Sequence, residues 1–191
     1  MLNKDEATQI FLKSGALMEG HFKLTSGRHS NRYMQCAQVL QYPQYTEQLA
    51  AHIAEKYADE KIDLVIGPAM GGIIVAYEVA RQLKVPGIFC ERQNGKMELR
   101  RGFALKPGDR VLVVEDVVTT GGSVVEVMDI VRQSGAVAAG VAVLVDRSGG
   151  NVDFGVRKEA VLTMDIESWE APDCPLCKAG QGEAIKPGSR S

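Results

Sequence analysis

The feature that most constrains the fold of this chain is an alternation of short apolar runs with helical patterns between residues 62 and 145. The apolar runs are nearly continuous, which is typical of strands covered on both faces. Strand, loop and helix in repeated order predict an α/β fold with a central, mostly parallel sheet flanked by helices. The predicted strands are residues 62–66, 85–91, 111–115 and 137–145, and the predicted helices are residues 72–83 and 122–133.

The segment before this repeat has a different pattern. Residues 4–18 carry apolar side chains at three- and four-residue spacing and predict an amphipathic helix. Strand-like residues follow from Arg32 to Leu40, and a second helix is predicted from Pro43, a good first-turn residue, to Tyr57. The chain of 191 residues is expected to form one domain, with residues 172–191 as a polar C-terminal tail.

Charge and hydropathy argue against several classes of partner. The formal net charge of −2 provides no basic footprint for nucleic acid or for an anionic membrane. The longest apolar stretch, near residues 136–145, is about half as long as a membrane span requires. The N-terminus contains Lys4, Asp5 and Glu6 and lacks the apolar core of a secretory signal. We therefore expect a cytoplasmic protein without nucleic-acid or membrane partners.

The four cysteines fall into two pairs. Cys36 and Cys90 lie in apolar surroundings and are predicted to be buried thiols. Cys174 and Cys177 form a CxxC in the polar tail. A zinc knuckle needs two more ligands, and the sequence has neither a second CxxC nor an HxxxH. This CxxC is predicted to be structural or incidental, with a metal-binding or redox role as the alternative.

Ligands of open α/β sheets bind beyond the carboxyl ends of the strands. Three segments of this chain follow predicted strands and are rich in glycine, hydroxyl or charged residues: Gly67–Gly72, Glu115–Ser123 and Asp146–Gly150. The candidate site is expected at the edge where these segments meet.

The most informative segment is residues 111–123, VLVVEDVVTTGGS, in which an apolar strand runs into two acids and then a turn that opens a helix. The glycines allow close backbone approach, the hydroxyls donate, and a helix N-terminus favours a phosphate. The turn contains no Lys, so it is not a P-loop, and no GxGxxG follows the first strand. The turn therefore predicts a site for a phosphate monoester.

Glu115 and Asp116 need a separate interpretation. Neighbours on an ideal strand point to opposite faces, so the two acids converge only if the strand ends between them, and a catalytic acid–base pair is disfavoured. Accepting hydrogen bonds from vicinal hydroxyls, or holding a hydrated Mg²⁺, suits them better. A phosphate cradle beside such an acid pair indicates a ribose 5-phosphate site.

Residues 111–123 resemble the phosphoribosyl pyrophosphate motif of the type I phosphoribosyltransferases. Further segments are similar to the orotate branch of that family, and the resemblance covers roughly residues 5–150. These segments are GHFKLTSGRHS at 20–30, GPAMGGI at 67–73, residues 91–103, and Asp146 with Arg147. The resemblance implies the type I phosphoribosyltransferase fold, in which residues 1–41 contribute a small N-terminal hood.

The resemblance also implies the donor site. Glu115 and Asp116 would hold the ribose hydroxyls, with Asp116 among the catalytic residues. The 5-phosphate would lie on the turn after the strand, and the leaving diphosphate on the loop at 67–72. The implied phosphoribosyl pyrophosphate ligands are Ala69, Met70, Gly71, Arg92, Lys96, Glu115, Asp116, Val117, Val118, Thr119, Thr120, Gly121, Gly122 and Ser123.

The basic segment at 92–101 resembles the family's flexible catalytic loop, which closes over the active site of the neighbouring subunit in a homodimer. The residues themselves predict either a mobile loop or an exposed hairpin at 92–102. Arg92 and Lys96 are the implied catalytic cations, because negative charge builds on the departing diphosphate. Arg100 and Arg101 are expected to form a solvated basic face, with a contribution to the diphosphate site as the alternative.

For the base, the resemblance points to an Arg after the last parallel strand, here Arg147. A guanidinium can engage the orotate carboxylate through two hydrogen bonds. Thr119 and Lys23 are the other implied orotate ligands. Mg²⁺ is the implied cofactor, and no protein residue is assigned as its direct ligand.

Three departures from the family pattern indicate a variant subgroup. Thr25 stands where some members carry Lys, and Lys23, two residues earlier, is the candidate substitute. Gly71 stands where some members carry Lys. The 92–101 segment lacks the His that often follows the catalytic Lys.

The implied reaction is pentosyl transfer from phosphoribosyl pyrophosphate to orotate, giving orotidine 5′-phosphate and pyrophosphate in the synthesis of UMP and other pyrimidines. A purine or xanthine phosphoribosyltransferase is one alternative, disfavoured by residues 22–30 and by Arg147, since purines carry no carboxylate. A non-catalytic regulator that senses phosphoribosyl pyrophosphate is the second, disfavoured because Arg92 and Lys96 are retained.

Overall fold

A computed structural model describes residues 2–24 and 26–187 of the chain. In chain order its strands are β1 (Leu17–Lys23), β2 (His29–Met34), β3 (Leu64–Pro68), β4 (Gly87–Gln93), β5 (Lys96–Leu99), β6 (Arg110–Val118), β7 (Val137–Asp146) and β8 (Lys158–Thr163). The α-helices are α1 (Lys4–Lys13), α2 (Ala37–Leu40), α3 (Pro43–Lys56), α4 (Gly71–Leu83), α5 (Gly122–Gln133) and α6 (Pro175–Lys178), and a 3₁₀ turn spans Ala171–Asp173. None of the described helices is long and apolar enough to cross a bilayer.

The main sheet has six strands in the order β5-β4-β3-β6-β7-β8. Strands β3, β4, β6, β7 and β8 pair in parallel, and β5 is antiparallel to β4. Helices α1, α3 and α4 cover one face of the sheet, and α5 covers the other. In β6, Leu112 and Val114 contact the first group while Val111 and Val113 contact α5, and all four are fully buried. The prediction of a mostly parallel sheet with helices on both faces is confirmed.

The N-terminal region differs from the prediction. Helix α1 ends at Lys13, not at residue 18, because Gly15 takes a left-handed φ of 72° just beyond the C-cap. Leu17 then begins β1, which pairs with β2 in an antiparallel hairpin. Residues 37–40 form α2 where a strand was predicted. Met34 pairs with Leu17, the first residue of β1, so no partner strand continues the ladder beyond it.

The two edges of the main sheet show features that the sequence prediction left open or did not include. At one edge, Asn94 (φ 51°) and Gly95 (φ 81°) make the two-residue turn of the β4–β5 hairpin, so the hairpin and not a mobile loop occupies the start of the 92–102 segment. At the other edge lies β8, which was not predicted because its first residues, Lys158 and Glu159, are charged. Since β8 runs parallel to β7, the strand before Arg147 is not the last parallel strand.

The C-terminal segment lies against the β1–β2 hairpin. Trp169 forms a bridge with His29, and Ile185 forms a bridge with Phe22. Cys174, between these two contacts, is fully buried. Residues 172–187, predicted as a polar tail, therefore pack on the small N-terminal hairpin.

Candidate active site

The carboxyl ends of β3, β6 and β7 lie side by side at one edge of the main sheet. A cleft of about 280 Å³ opens there beside the end of β6. Its lining residues are Arg92, Glu115, Val117, Val118, Thr119, Thr120, Gly121, Gly122, Ser123, Val124 and Glu126. The structure thus brings the whole predicted phosphate turn, one acid of the pair and one of the predicted cations to the same cleft.

The phosphate turn is shaped by Gly121. This residue has a left-handed φ of 79°, and a Cβ there would meet Phe154 Cε1 at 2.8 Å and Val152 Cγ1 at 2.9 Å. Helix α5 begins at the next residue. The first N–H groups of a helix have no partner within it, and they carry its positive dipole end. The turn therefore offers the cleft a set of backbone donors suited to a phosphate.

The two acids lie together beside this turn. The Glu115 side chain folds back, so that its Oε1 accepts a 3.0 Å hydrogen bond from the backbone N–H of Asp116. Asp116 Oδ1 accepts a 2.8 Å hydrogen bond from Val117 N. The strand was expected to end between the two acids if they converge, but β6 continues to Val118. Side-chain folding, rather than a strand end, brings the carboxylates together.

Burial dominates the electrostatics of this pair. It raises the pKa of Glu115 well above the usual value, and the neighbouring Asp116 carboxylate raises it further. Burial likewise raises the pKa of Asp116. The pair is thus short of positive partners, and hydroxyl donors or a cation would stabilise its charged form.

The glycines of the loop between β3 and α4 pack directly on the acids. A Cβ on Gly71 would overlap the Asp116 carboxylate, and a Cβ on Gly72 would meet Glu115 Oε1 at 3.2 Å and Pro68 Cδ at 2.9 Å. The backbone of the predicted pyrophosphate loop therefore contacts both carboxylates. A residue larger than glycine at position 71 or 72 would force the loop or the carboxylates to move. Ala69 and Met70 lie in the same loop, and the Met70 side chain is 81% exposed.

Arg147 follows β7, and its backbone N–H donates to Val118 O at 2.8 Å, beside the phosphate turn. Its Nε is buried, and no acceptor for it occurs among residues 2–24 and 26–187. Burial lowers the pKa of the guanidinium, with Tyr33 and Cys36 close enough to act on it. A buried donor left unpaired typically costs about 1–3 kcal/mol, so this position is suited to a ligand that accepts hydrogen bonds.

The loop that carries Arg147 is held by the preceding residue, Asp146, which has no exposed surface. The Asp146 carboxylate accepts hydrogen bonds from Lys158 Nζ at 2.8 Å, Ser148 N at 2.8 Å and Ser148 Oγ at 2.6 Å. Burial alone would raise the pKa of Asp146, but these donors outweigh it and hold the pKa below the usual range. Sequence reasoning assigned no role to Lys158, because the strand that supplies it was not predicted.

The two predicted catalytic cations are separated. Arg92 lines the cleft, where its Nη2 donates to Glu126 Oε1 at 3.0 Å and its Nη1 donates to Gly95 O at 2.9 Å. Lys96, across the hairpin turn, lines a different surface recess beside Asp129 of α5. Within one chain, therefore, Arg92 reaches this cleft and Lys96 does not. Arg100 and Arg101 both form ion pairs with Glu91 on the surface.

The remaining predicted residues lie at the margins of the site. Thr119 is exposed in the cleft, and Lys23 is exposed at the end of β1. Thr25, the position at which some family members carry the Lys that Lys23 is predicted to replace, lies outside the described residues. Cys36 is buried beneath the acid pair, with its Sγ 3.6 Å from Asp116 O, and burial raises its pKa. Cys90 is buried as well, so both predicted buried thiols are confirmed.

The donor set at this edge fits Mg²⁺ bound together with a polyphosphate. Mg²⁺ prefers oxygen ligands and commonly uses one or two carboxylates with substrate phosphates and water. Glu115 and Asp116 supply carboxylates whose buried charge lacks a described cationic partner. A divalent ion would compensate that charge.

Comparison with known proteins identifies relatives along the whole chain. The family model of the phosphoribosyl transferase domain matches residues 37–154. Orotate phosphoribosyltransferase of Pelotomaculum thermopropionicum is 62% identical over 99% of this chain and 99% of the relative. Orotate phosphoribosyltransferase of Heliobacterium modesticaldum is 58% identical, with 100% of each chain covered.

Solved structures are similar in fold. Orotate phosphoribosyltransferase of Mycobacterium tuberculosis, in complex with inorganic phosphate, has a TM-score of 0.67 and 26% identity over 84% of this chain and 96% of that one. The enzyme from Aeropyrum pernix has a TM-score of 0.63 and 30% identity over 82% of this chain and 93% of that one.

Proposed function

This chain belongs to the orotate phosphoribosyltransferase family, and on that premise we propose how its residues carry out the reaction. The proposed reaction transfers the ribose 5-phosphate group of phosphoribosyl pyrophosphate to N1 of orotate, giving orotidine 5′-phosphate and pyrophosphate. Both substrates are small molecules, and the product serves pyrimidine synthesis. The observation that supports the assignment of the base is Arg147, whose buried Nε has no acceptor among the described residues and which lies beside the proposed ribose 5-phosphate turn.

The 5-phosphate binds the turn between β6 and α5. The N–H groups at the start of α5 and the hydroxyls of Thr119, Thr120 and Ser123 donate to it. Gly121 keeps the turn tight, because any side chain there would overlap Val152 and Phe154. This anchor fixes the sugar, so that the reacting carbon is held at one position relative to the acids.

Glu115 and Asp116 accept hydrogen bonds from the two ribose hydroxyls. The ribose hydroxyls supply hydrogen-bond donors to the charged form of the carboxylates, which lowers their raised pKa values and favours the ionised pair in the complex. Two carboxylates beside the sugar also favour the positive charge that develops on it as the diphosphate leaves. Bound Mg²⁺ supplies charge neutralisation at the diphosphate.

Arg147 binds the carboxylate of orotate. The buried Nε–H of Arg147, which has no acceptor among the described residues, would donate a charge-assisted hydrogen bond to that carboxylate. Such a bond is stronger than one between neutral groups. Asp146, fixed by Lys158 and Ser148, positions the loop and so orients the base. Thr119, exposed in the cleft, and Lys23 on the hood hairpin are the further proposed contacts of orotate.

The leaving diphosphate is neutralised by Arg92 and Lys96. The position of Arg92 supports this role within its own chain, because its guanidinium lines the cleft. Lys96 lines a recess outside the cleft, so we assign it to the site of a second subunit. Each cation acts mostly in the transition state, when negative charge on the diphosphate is greatest.

We propose that the second subunit docks on α4, in a homodimer. Met70 at the N-cap of this helix, and Ile74 and Tyr77 within it, follow one another at four- and three-residue spacing, and they are 81%, 45% and 69% exposed. An apolar stripe of this kind is typical of a protein interface. It begins in the pyrophosphate loop, so a partner seated on it would lie next to the cleft.

Neither alternative activity is favoured. The full-length relatives at 50–62% identity are orotate phosphoribosyltransferases, and a purine has no carboxylate for Arg147. A non-catalytic regulator could lose the catalytic loop, whereas this chain retains Arg92 and Lys96. The proposed location is the cytoplasm.

The test is an ultraviolet assay of orotate consumption in the presence of phosphoribosyl pyrophosphate and Mg²⁺, with hypoxanthine, xanthine, adenine and uracil in parallel. We expect turnover of orotate alone. Turnover of a purine would retain the donor site and refute the assignment of Arg147. Absence of turnover with every base would favour the regulator.

A further inference from the structure

Two histidines and two cysteines converge where the C-terminal segment meets the N-terminal hairpin. His21 lies on β1 and His29 on β2, while Cys174 precedes α6 and Cys177 lies within it. One potential ligand atom from each of the four residues lies within 4.8 Å of all the others. This cluster belongs to no part of the cleft described above, and the proposed reaction does not use it.

Four of the distances within the cluster are close to those of a tetrahedral metal site. His21 Nε2 lies 3.0 Å from His29 Nδ1 and 3.5 Å from each of the two sulfurs. Cys177 Sγ lies 3.3 Å from His29 Nδ1. Zinc bonds to nitrogen and sulfur in tetrahedral geometry place such ligand atoms roughly 3.3–3.8 Å apart. These four distances are compatible with a single ion at the centre of the cluster, and the remaining pairs of ligand atoms lie within 4.8 Å.

The hydrogen bond of His21 to the backbone sets its tautomer. His21 Nδ1 lies 3.0 Å from Gly182 O, and a carbonyl can only accept, so Nδ1 carries the proton. The lone pair of Nε2 then faces the cluster. Metal-bound histidines in proteins commonly donate their other ring N–H to a carbonyl or carboxylate in this way.

The cluster is also shielded and held in place. His21 and His29 are 8% and 9% exposed, and Cys174 is fully buried. Backbone hydrogen bonds in both directions join His29 to Trp169, at 2.7 and 2.8 Å, just before the cysteines. Cys177 is exposed, so the cluster opens to solvent on one side. Burying three polar groups that mainly face one another is costly unless they share a ligand.

We propose that His21, His29, Cys174 and Cys177 bind one structural Zn²⁺. Two thiolates with two imidazoles are a typical zinc donor set, and four protein ligands leave no open position for a substrate. The two-residue spacing of the cysteines matches a zinc knuckle. The two histidines do not match a zinc motif in the sequence, because seven residues separate them. The pairing of β1 with β2 in the hairpin brings them together.

The ion would fasten the C-terminal segment to the hairpin that forms the hood. The same junction contains Arg28, whose Nε donates to Ser168 Oγ at 2.9 Å, and Ser30, whose Oγ donates to Glu167 O at 2.7 Å. Because the cluster lies on the hairpin and not on the phosphate turn, loss of zinc should loosen the hood. The expected effect on the reaction is a higher KM for orotate with little change in the KM for phosphoribosyl pyrophosphate.

The direct test is metal analysis of the full chain, purified without chelator or affinity tag. We expect about one zinc per chain by inductively coupled plasma mass spectrometry, and loss of most of it in Cys174→Ser and in His29→Ala. His52→Ala and Cys90→Ser are matched controls, since neither residue belongs to the cluster, and both should keep their zinc.

A second measurement does not depend on the folding of any variant. Chelator-treated wild-type chain titrated with Co²⁺ should develop the visible absorption of a tetrahedral thiolate site, saturating at one equivalent and abolished by Zn²⁺. Absence of both zinc and the cobalt spectrum would overturn the proposal. Intact-mass detection of a Cys174–Cys177 disulfide in the freshly purified chain would overturn it in favour of a redox pair.

Discussion

The Asp116 carboxylate lies against the backbone of Gly71, in contact so close that a Cβ at position 71 would overlap it. The contact joins the pyrophosphate loop to the acid that we assign to the ribose. It also accounts for glycine at a position where some members of the family carry Lys, since a longer residue requires a different placement of Asp116.

Gly71→Ala should therefore impair the donor site without unfolding the protein. The methyl group must push the Asp116 side chain aside, and a displacement of about 1 Å at a reacting group can cost on the order of a hundredfold in rate. We expect kcat/KM for phosphoribosyl pyrophosphate to fall by ten- to a hundredfold while the melting temperature changes by no more than a few degrees. Steady-state kinetics with unchanged activity would show that Asp116 is free to move.

Glu115→Gln should stabilise the protein at neutral and alkaline pH while it impairs catalysis. Burial raises the pKa of Glu115, so the folded chain ionises less readily than the unfolded chain, whose Glu titrates near about 4.3. Stability is therefore lost as pH rises from that value through the folded-state pKa. Removing the charge should raise the melting temperature at pH 8 by about 2–4 °C for each kcal/mol recovered, and by little at pH 4.

Thermal melts across this pH range, without substrate, test that difference. Glu183→Gln is the control, because Glu183 is exposed and its substitution should shift the melting temperature equally little at every pH. A Glu115→Gln chain that is less stable than wild type at pH 8 would contradict the electrostatic account of the acid pair.

Lys96 is expected to act across the subunit interface. Lys96→Ala and Asp116→Asn chains should each lose at least about a hundredfold in turnover, since each removes one group that stabilises the transition state. In a mixed dimer, action in trans gives one site with both defects and one with neither. Doubly tagged mixed dimers should then recover up to half of the wild-type activity, whereas action in cis predicts no recovery.

The stripe formed by Met70, Ile74 and Tyr77 should form the dimer interface. Tyr77→Glu places a charge at its exposed end, where burial against a partner would be costly. Light scattering after size exclusion should show a dimer for wild type and a monomer for this variant. Leu12→Glu, an exposed apolar position on α1 that is 37% accessible, should remain dimeric. A dimeric Tyr77→Glu chain would place the interface elsewhere.

Sequence reasoning could propose the candidate site because most of its parts are contiguous. The strand, acids, turn and helix of residues 111–123 are adjacent in the chain, and continuous apolar runs identify the buried strands. Parts that depend on distant pairing were missed. Strand β8 begins with charged residues, so Lys158 and its support of Asp146 could not be foreseen. His21 and His29 meet Cys174 and Cys177 only through folding, and no spacing rule links them.

The ends of helices and strands were hardest to predict where backbone conformation, rather than the pattern of apolar residues, determines them. Helix α1 stops because Gly15 adopts a left-handed conformation, while the apolar spacing continues to Leu17. The short hairpin after β4 follows from Asn94 and Gly95, which satisfy a turn that needs positive φ at both positions.

The most direct test of the central claim is a comparison of orotate with uracil, which lacks the carboxylate, as substrates of wild type and Arg147→Gln. We expect wild type to prefer orotate strongly in kcat/KM. In Arg147→Gln, kcat/KM for orotate should fall by about a hundred- to a thousandfold, as expected for loss of one charged donor, while that for uracil stays nearly constant. An equal loss for both bases, or an unchanged preference for orotate, would show that Arg147 does not recognise the carboxylate.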